Sequence, residues 1–131
     1  MTKHGFLAEN FINLGIIPGD GGAYFLQKII GYQKAAELAF TGRKVYAQEA
    51  FDLGLVLEVC EEKDLMKKTL ALASIIAKKP WLALRYTKRL MKAANHMDLN
   101  NFLDFSALFQ GISHNQKEHR TAINNIFKKK K

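Results

Sequence analysis

Of the groups in this sequence able to move a proton, Asp20 has the most distinctive surroundings. It lies in Pro18-Gly19-Asp20-Gly21-Gly22, between an apolar lead-in and a helix-period apolar pattern. Proline fixes φ at or just before a first helical turn, glycine lets backbone approach a ligand, and a helix start leaves N–H groups unpaired. An aspartate placed there can satisfy those N–H groups as a cap, worth about 0.5–2 kcal/mol, and the glycine-rich turn around it is a plausible ligand wall.

A second constellation is cationic. Arg85, Lys88, Arg89 and Lys92 follow i, i+3, i+4 and i+7 spacing, and no acidic residue occurs between Asp64 and Asp98. The stripe could meet the phosphates of a polyanion, although a solvated helix face is the plainer reading.

Other chemistries fall away. His4, His96, His114 and His119 lack metal-ligand spacing, so no metal site is expected. Cys60 cannot form an internal disulfide, has no evident base, and follows Val56-Leu57-Glu58-Val59, so it reads as a small buried hydrophobe. Ser74 and Ser113 lack a triad context, and the glycine-rich turn lacks the Lys-Ser/Thr of a phosphate-binding loop.

The elements that must position Asp20 are mostly helical. Phe11–Ile17 is apolar but short and broken, and reads as a buried strand or extended segment. Phe25, Leu26, Ile29 and Ile30 then define one inward helical face, stopped by Gly31. Helices follow over Tyr32–Phe40, with Ala35, Leu38 and Ala39 inward, and over Ala47–Leu53, closed by glycines.

Leu55–Cys60 reads as a short strand. Further helices are expected over 64–79, over 81–94, and over 98–110 with a stop at Gly111. Ser113-His114-Asn115-Gln116 matches a capping box ahead of a last helix carrying Ala122, Ile123, Ile126 and Phe127 inward.

With 131 residues, of which 48% are hydrophobic, one core-forming unit is expected over 1–127, followed by a disordered basic tail, 128–131. Net charge is +8. No secretory h-region or membrane-spanning run is evident, so a cytoplasmic protein without a membrane partner is expected.

The run Asn13-Leu14-Gly15-Ile16-Ile17-Pro18-Gly19-Asp20-Gly21-Gly22, then Gly31, then Ala35-Ala36-Glu37-Leu38-Ala39-Phe40-Thr41-Gly42, resembles the enoyl-CoA hydratase/isomerase (crotonase) family. The likeness continues through Ala47-Gln48-Glu49-Ala50 and Leu53-Gly54-Leu55-Val56 to Pro80 and Lys88, and more weakly to the C-terminus. It corresponds to the C-terminal half of a family member.

The resemblance implies the α/β crotonase-like (ClpP/crotonase) fold in its C-terminal portion, predominantly α-helical with one or two short strands. Its parts would be an active-site wall and a helical trimerisation region. It further implies hydration or double-bond isomerisation of an acyl-CoA thioester through an enolate, with coenzyme A as part of the substrate and no separate cofactor. The backbone N–H donors that stabilise the enolate would come from the other half, so this chain alone is expected to be inactive.

Carried over residue by residue, the resemblance makes Asp20 the catalytic candidate. Phe11, Ile17, Pro18, Gly19, Gly21, Gly22 and Phe25 become a substrate-binding wall, and Lys88 and Lys128 become weak coenzyme A contacts. Typical hydratases carry a carboxylate where this sequence has Phe11, which cannot accept a proton. Glu9, two residues earlier, would point elsewhere if the segment is extended. The positions matching a family aromatic and lysine near the C-terminus are Ile123 and Ile126.

A homo-oligomer, trimer or hexamer in the intact family, is expected, with sticky faces around Phe25, Trp81, Phe102 and Phe109; nucleic acid is not an expected partner. The alternative is a non-catalytic helical oligomerisation or anion-binding module derived from the family.

Overall fold

The computed structural model describes residues 1–128, and the chain divides into two compact units, Met1–Leu70 and Ala71–Lys131. Sequence patterning marks no such division: it falls inside helix α4 (Leu65–Ala77), where no proline, glycine or polar linker interrupts the chain. The expected unit over 1–127 is therefore described as two parts. Of the expected tail, Lys128 closes a helix and 129–131 lie outside the described residues.

In the first unit, β1 (Phe6–Ala8) pairs antiparallel with β2 (Lys44–Tyr46), Leu7 opposite Val45. Between them come a 3-10 turn (Phe11–Leu14), α1 (Gly22–Ile30) and α2 (Tyr32–Thr41); α3 (Ala47–Asp52) follows β2 directly. Leu38, Val45 and Ala50 form the buried core, with Leu26, Ile30, Leu53, Leu55 and Val56 packed around it.

Both strands lie where sequence reading has none. Leu55–Cys60 is no strand: Leu55 N–H donates to the Ala50 carbonyl, turning the chain back on α3, and only Cys60 makes a single parallel bridge, to Thr2. Cys60 is free and buried, as its context predicts.

Phe11–Leu14 also departs from expectation. Asn13 and Gly15 N–H groups donate to Asn10 and Ile12 carbonyls, which curls the segment into a 3-10 turn, and the Asn13 amide reaches the Gly42 carbonyl at 3.4 Å. That contact ties the lead-in to the end of α2. The inward face of α1 is half realised: Leu26 and Ile30 are half-buried, whereas Phe25 and Ile29 are exposed.

Arg43 links α2 to α3. Its guanidinium donates to Glu37 Oε1 at 2.5 Å and Oε2 at 2.9 Å, and to Glu49 Oε1 at 2.6 Å and Oε2 at 2.9 Å. Bidentate, charge-assisted pairs of this kind are the stronger class of surface ion pair.

In the second unit, α5 (Trp81–Ala93), α6 (Leu99–His114) and α7 (Lys117–Lys128) are joined by short turns. Phe109 of α6 is buried, with the Tyr86 ring at 4.5 Å and the Phe105 ring edge-on at 4.7 Å. The Arg89 guanidinium lies 5.3 Å from the Phe109 ring centre, a cation–π placement. Asp98 caps α6, its Oδ1 accepting from Asn101 N–H at 3.1 Å.

α6 runs through Gly111 rather than stopping there. The expected capping box does not form, because the Ser113 hydroxyl donates to the Phe109 carbonyl and the Gln116 amide to the Ile112 carbonyl. Helix-internal acceptors one turn back outcompete the cap. Ile123, Ile126 and Phe127 of α7 are exposed, and only Ala122 of the expected inward set is half-buried.

Leu38 is 2% exposed at the centre of the first unit's core. Leu38→Ala should therefore cost about 2–5 kcal/mol in chemical denaturation. A second outcome concerns acid. Arg43, chiefly through its hydrogen bonds, holds Glu37 down at about 2 from the ordinary 4.5. Because the folded value is the lower one, this stabilisation is complete above pH 4.5 and is lost as pH falls toward 2. Thermal melts of Arg43→Met should show a weaker loss of stability across that window than the unmodified chain.

Candidate active site at the entrance to helix α1

The glycine-rich stretch enters α1 through Gly21, whose φ of 92° is a backbone conformation side-chain-bearing residues rarely adopt. Its carbonyl accepts from Tyr24 N–H at 3.0 Å and Phe25 N–H at 2.9 Å, starting the helix. The Phe25 ring lies against it: a Cβ on Gly21 would sit 3.0 Å from Phe25 Cε2. Asp20 is exposed, and its Oδ1 accepts from Gly22 N–H at 2.8 Å, so one of the helix's unpaired donors is satisfied by this carboxylate.

Of the expected wall residues, Phe11, Pro18, Gly21 and Gly22 are half-buried. Gly19 is exposed, as is Ile17, at 82%. All of them, with Asp20 and Phe25, belong to the first unit. Lys88 is exposed on α5 and Lys128 ends α7, so both weak coenzyme A candidates belong to the second unit. An apolar cleft of about 160 Å³ opens between α1 and α2, lined by Ala23, Leu26, Tyr32, Ala36 and Phe40 among others.

Sequence reading set aside one residue that the structure brings into this site. Because Phe11–Leu14 curls, the expectation that Glu9 points elsewhere from an extended segment does not apply. Its carboxyl lies against Gly22, where an added Cβ would overlap Oε1 and the carboxyl carbon and sit 2.6 Å from Oε2. Oε1 has essentially no accessible surface and no hydrogen-bond partner. Burial, and secondarily the charge of Asp20, push the Glu9 carboxyl above the ordinary glutamate range. The paired glycines at 21 and 22 are the signal that could have found it, since a missing Cβ marks close approach.

Among the described residues no cluster of His, Cys, Asp and Glu is arranged to hold a metal, and no helix is long and apolar enough to cross a membrane. What the entrance offers chemically is a pair of carboxyl groups with unlike surroundings, one exposed and hydrogen-bonded, one half-buried with an oxygen closed off from solvent, at a helix start.

Residues 2–131 match the family model for enoyl-CoA hydratase/isomerase. A short-chain-enoyl-CoA hydratase of Clostridioides difficile is 38% identical over 86% of this chain and 72% of its own length. A crotonyl-CoA hydratase of Syntrophomonas wolfei is 31% identical over 86% of this chain and 44% of its own length. The crystal structure of an enoyl-CoA hydratase from Bacillus anthracis superposes with a TM-score of 0.94 at 30% identity, covering 98% of this chain and 50% of that one. The chain thus spans about half the length of the solved relatives it matches. The fold is that of the crotonase group, and the chain belongs to the enoyl-CoA hydratase/isomerase family.

Proposed function

We propose that this chain is the C-terminal half of an enzyme that hydrates or isomerises acyl-CoA thioesters, supplying one wall of the site and a proton-transfer carboxylate, Asp20. The observation that carries this is the exposed Asp20 carboxylate fixed to Gly22 N–H at the glycine-rich entrance of a chain in this family. Removing a proton from the carbon beside the thioester carbonyl gives an enolate, whose oxygen needs preorganised N–H donors. Those donors belong to the complementary half of the fold, so this chain alone has no turnover.

In the same reading coenzyme A enters as part of the substrate with no separate cofactor, and Lys88 and Lys128 reach its phosphates. The intact protein is a cytoplasmic homo-oligomer, a trimer or hexamer. A second reading, an anion-binding or oligomerisation module, is favoured by charge: residues 71–131 hold twelve Lys and Arg against three Asp and Glu. Arg85, Lys88 and Lys92 are exposed along α5. Saturable binding of a sulfated polyanion with no binding of coenzyme A, by calorimetry, would favour that module.

The enzyme reading is tested by joining the chain behind the complementary half of the Bacillus anthracis hydratase. Crotonyl-CoA hydration and enoyl-CoA isomerisation are then assayed for the 131-residue chain, the joined protein and its Asp20→Asn variant. Turnover is expected only in the joined protein, with Asp20→Asn lowering it about 10²–10⁴-fold. Full turnover by the chain alone, or an Asp20→Asn variant as fast as its parent, would overturn it.

A further inference from the structure

Among the described residues, Glu9 Oε1 is the buried side-chain oxygen left without a hydrogen-bond partner. Burial of that oxygen without a partner disfavours the charged form, and the Glu9 carboxyl is shifted above the ordinary glutamate range. The place it occupies is the place of the missing Gly22 Cβ, within 2.6 Å of all three outer carboxyl atoms. Gly22 is also the residue whose N–H is bound by Asp20 at 2.8 Å. Two carboxyl groups therefore address one glycine, the first through space a side chain would fill, the second through its N–H.

Family resemblance puts a carboxylate where this chain has Phe11, and the vacancy removes one of two proton-transfer groups. The 3-10 turn over Phe11–Leu14 follows Glu9 immediately, and Glu9 restores a carboxyl to the entrance from a different sequence position. We propose that Glu9 is a second acid–base residue of this site, a carboxyl lodged at Gly22 that works together with the Asp20 carboxylate.

The role rests on the acyl-CoA reading above. In it, Asp20 takes a proton from substrate carbon, and the electron pair of that C–H bond moves into the enolate. As the enolate collapses, a new C–H bond forms at a different carbon with the proton of Glu9, and the double bond has shifted. Asp20 is then protonated and Glu9 ionised. Return of the proton from Asp20 to Glu9 restores both, with no external oxidant, reductant or co-reactant.

The first test is a carboxyl-¹³C NMR titration of the 131-residue chain. Glu9 is expected to titrate above the ordinary value of 4.5 and to move down in Asp20→Asn. In Gly22→Ala the new Cβ should evict the carboxyl and return its midpoint to the ordinary value. The obstructed atoms are the end of a flexible side chain, so the helix itself need not yield. A Glu9 midpoint at 4.5 in the unmodified chain, or one unmoved by both substitutions, overturns the proposal.

The second test uses the joined protein. Glu9→Gln should lower isomerisation at least about tenfold and flatten the limb of the pH profile that reports the neutral acid, with Glu9→Asp partly restoring both. Parental turnover and pH profile in Glu9→Gln overturns the role. A joined protein without any turnover removes the preceding reading and this role together, whereas a high Glu9 midpoint in the same chain still separates that failure from a wrong placement of the proton.

Discussion

Close backbone approach at Gly22 is the constraint on which the site depends. A Cβ there would fall inside the Glu9 carboxyl, so any other residue would close the space this group occupies. The neighbouring Gly21, at φ 92°, turns the chain so that Asp20 meets the Gly22 N–H and the Phe25 ring covers the turn. Upstream, the Asn13 amide on the Gly42 carbonyl fixes the 3-10 turn against the end of α2, and with it the direction from which Glu9 arrives. Each contact limits the next, and the first unit's small core of Leu38, Val45 and Ala50 anchors the helices and the β2 strand involved.

That core is small for the apolar content of the chain. Among the described residues, the hydrophobic side chains buried below a tenth of their surface are Ala35, Leu38, Val45, Ala47, Ala50, Cys60 and Phe109, mostly small ones. Leu14, Phe40 and Leu57 of the first unit are each more than 70% exposed. Large apolar side chains are thus left uncovered in the unit that holds the core. It accords with a chain that spans half the length of its solved relatives: the elements are correctly formed, and the hydrophobic burial they are patterned for is only partly met within the chain.

Helix positions were legible because their signals are local. The glycines closing α1 and α2 and the proline before α5 act through backbone conformation alone, and these helices lie within a residue or two of their expected bounds. The strands were not legible. β1 and β2 are three residues each and are defined by pairing across the 35 residues between them, 9–43, which no local pattern records. Leu55–Cys60 has strand composition but spends its backbone groups on α3 and on the N-terminus. The capping box at Ser113 failed for a related reason, since its hydroxyl had a helical carbonyl one turn back within reach. At the entrance, the glycine-rich helix start and the Asp20 carboxylate that satisfies one of its N–H groups could be read directly. Glu9 could not, because its placement follows from the 3-10 turn after it, and an apolar Phe11–Ile17 reads equally well as extended.

Electrostatics keeps the Glu9 carboxyl above the ordinary glutamate range in a unit that also carries cations. A free guanidinium near Glu9 would stabilise its charged form and draw the proton off. The only arginine of the first unit is Arg43, and its charge is held between Glu37 and Glu49, each engaged through both oxygens. The groups acting on Glu9 are burial and the like charge of Asp20, which work in the same direction. Residues 1–70 carry eight Lys and Arg against nine Asp and Glu, so the positive charge of the protein resides in residues 71–131. The carboxyl groups that meet at Gly22 and the bulk of the basic residues are thereby carried by different stretches of chain.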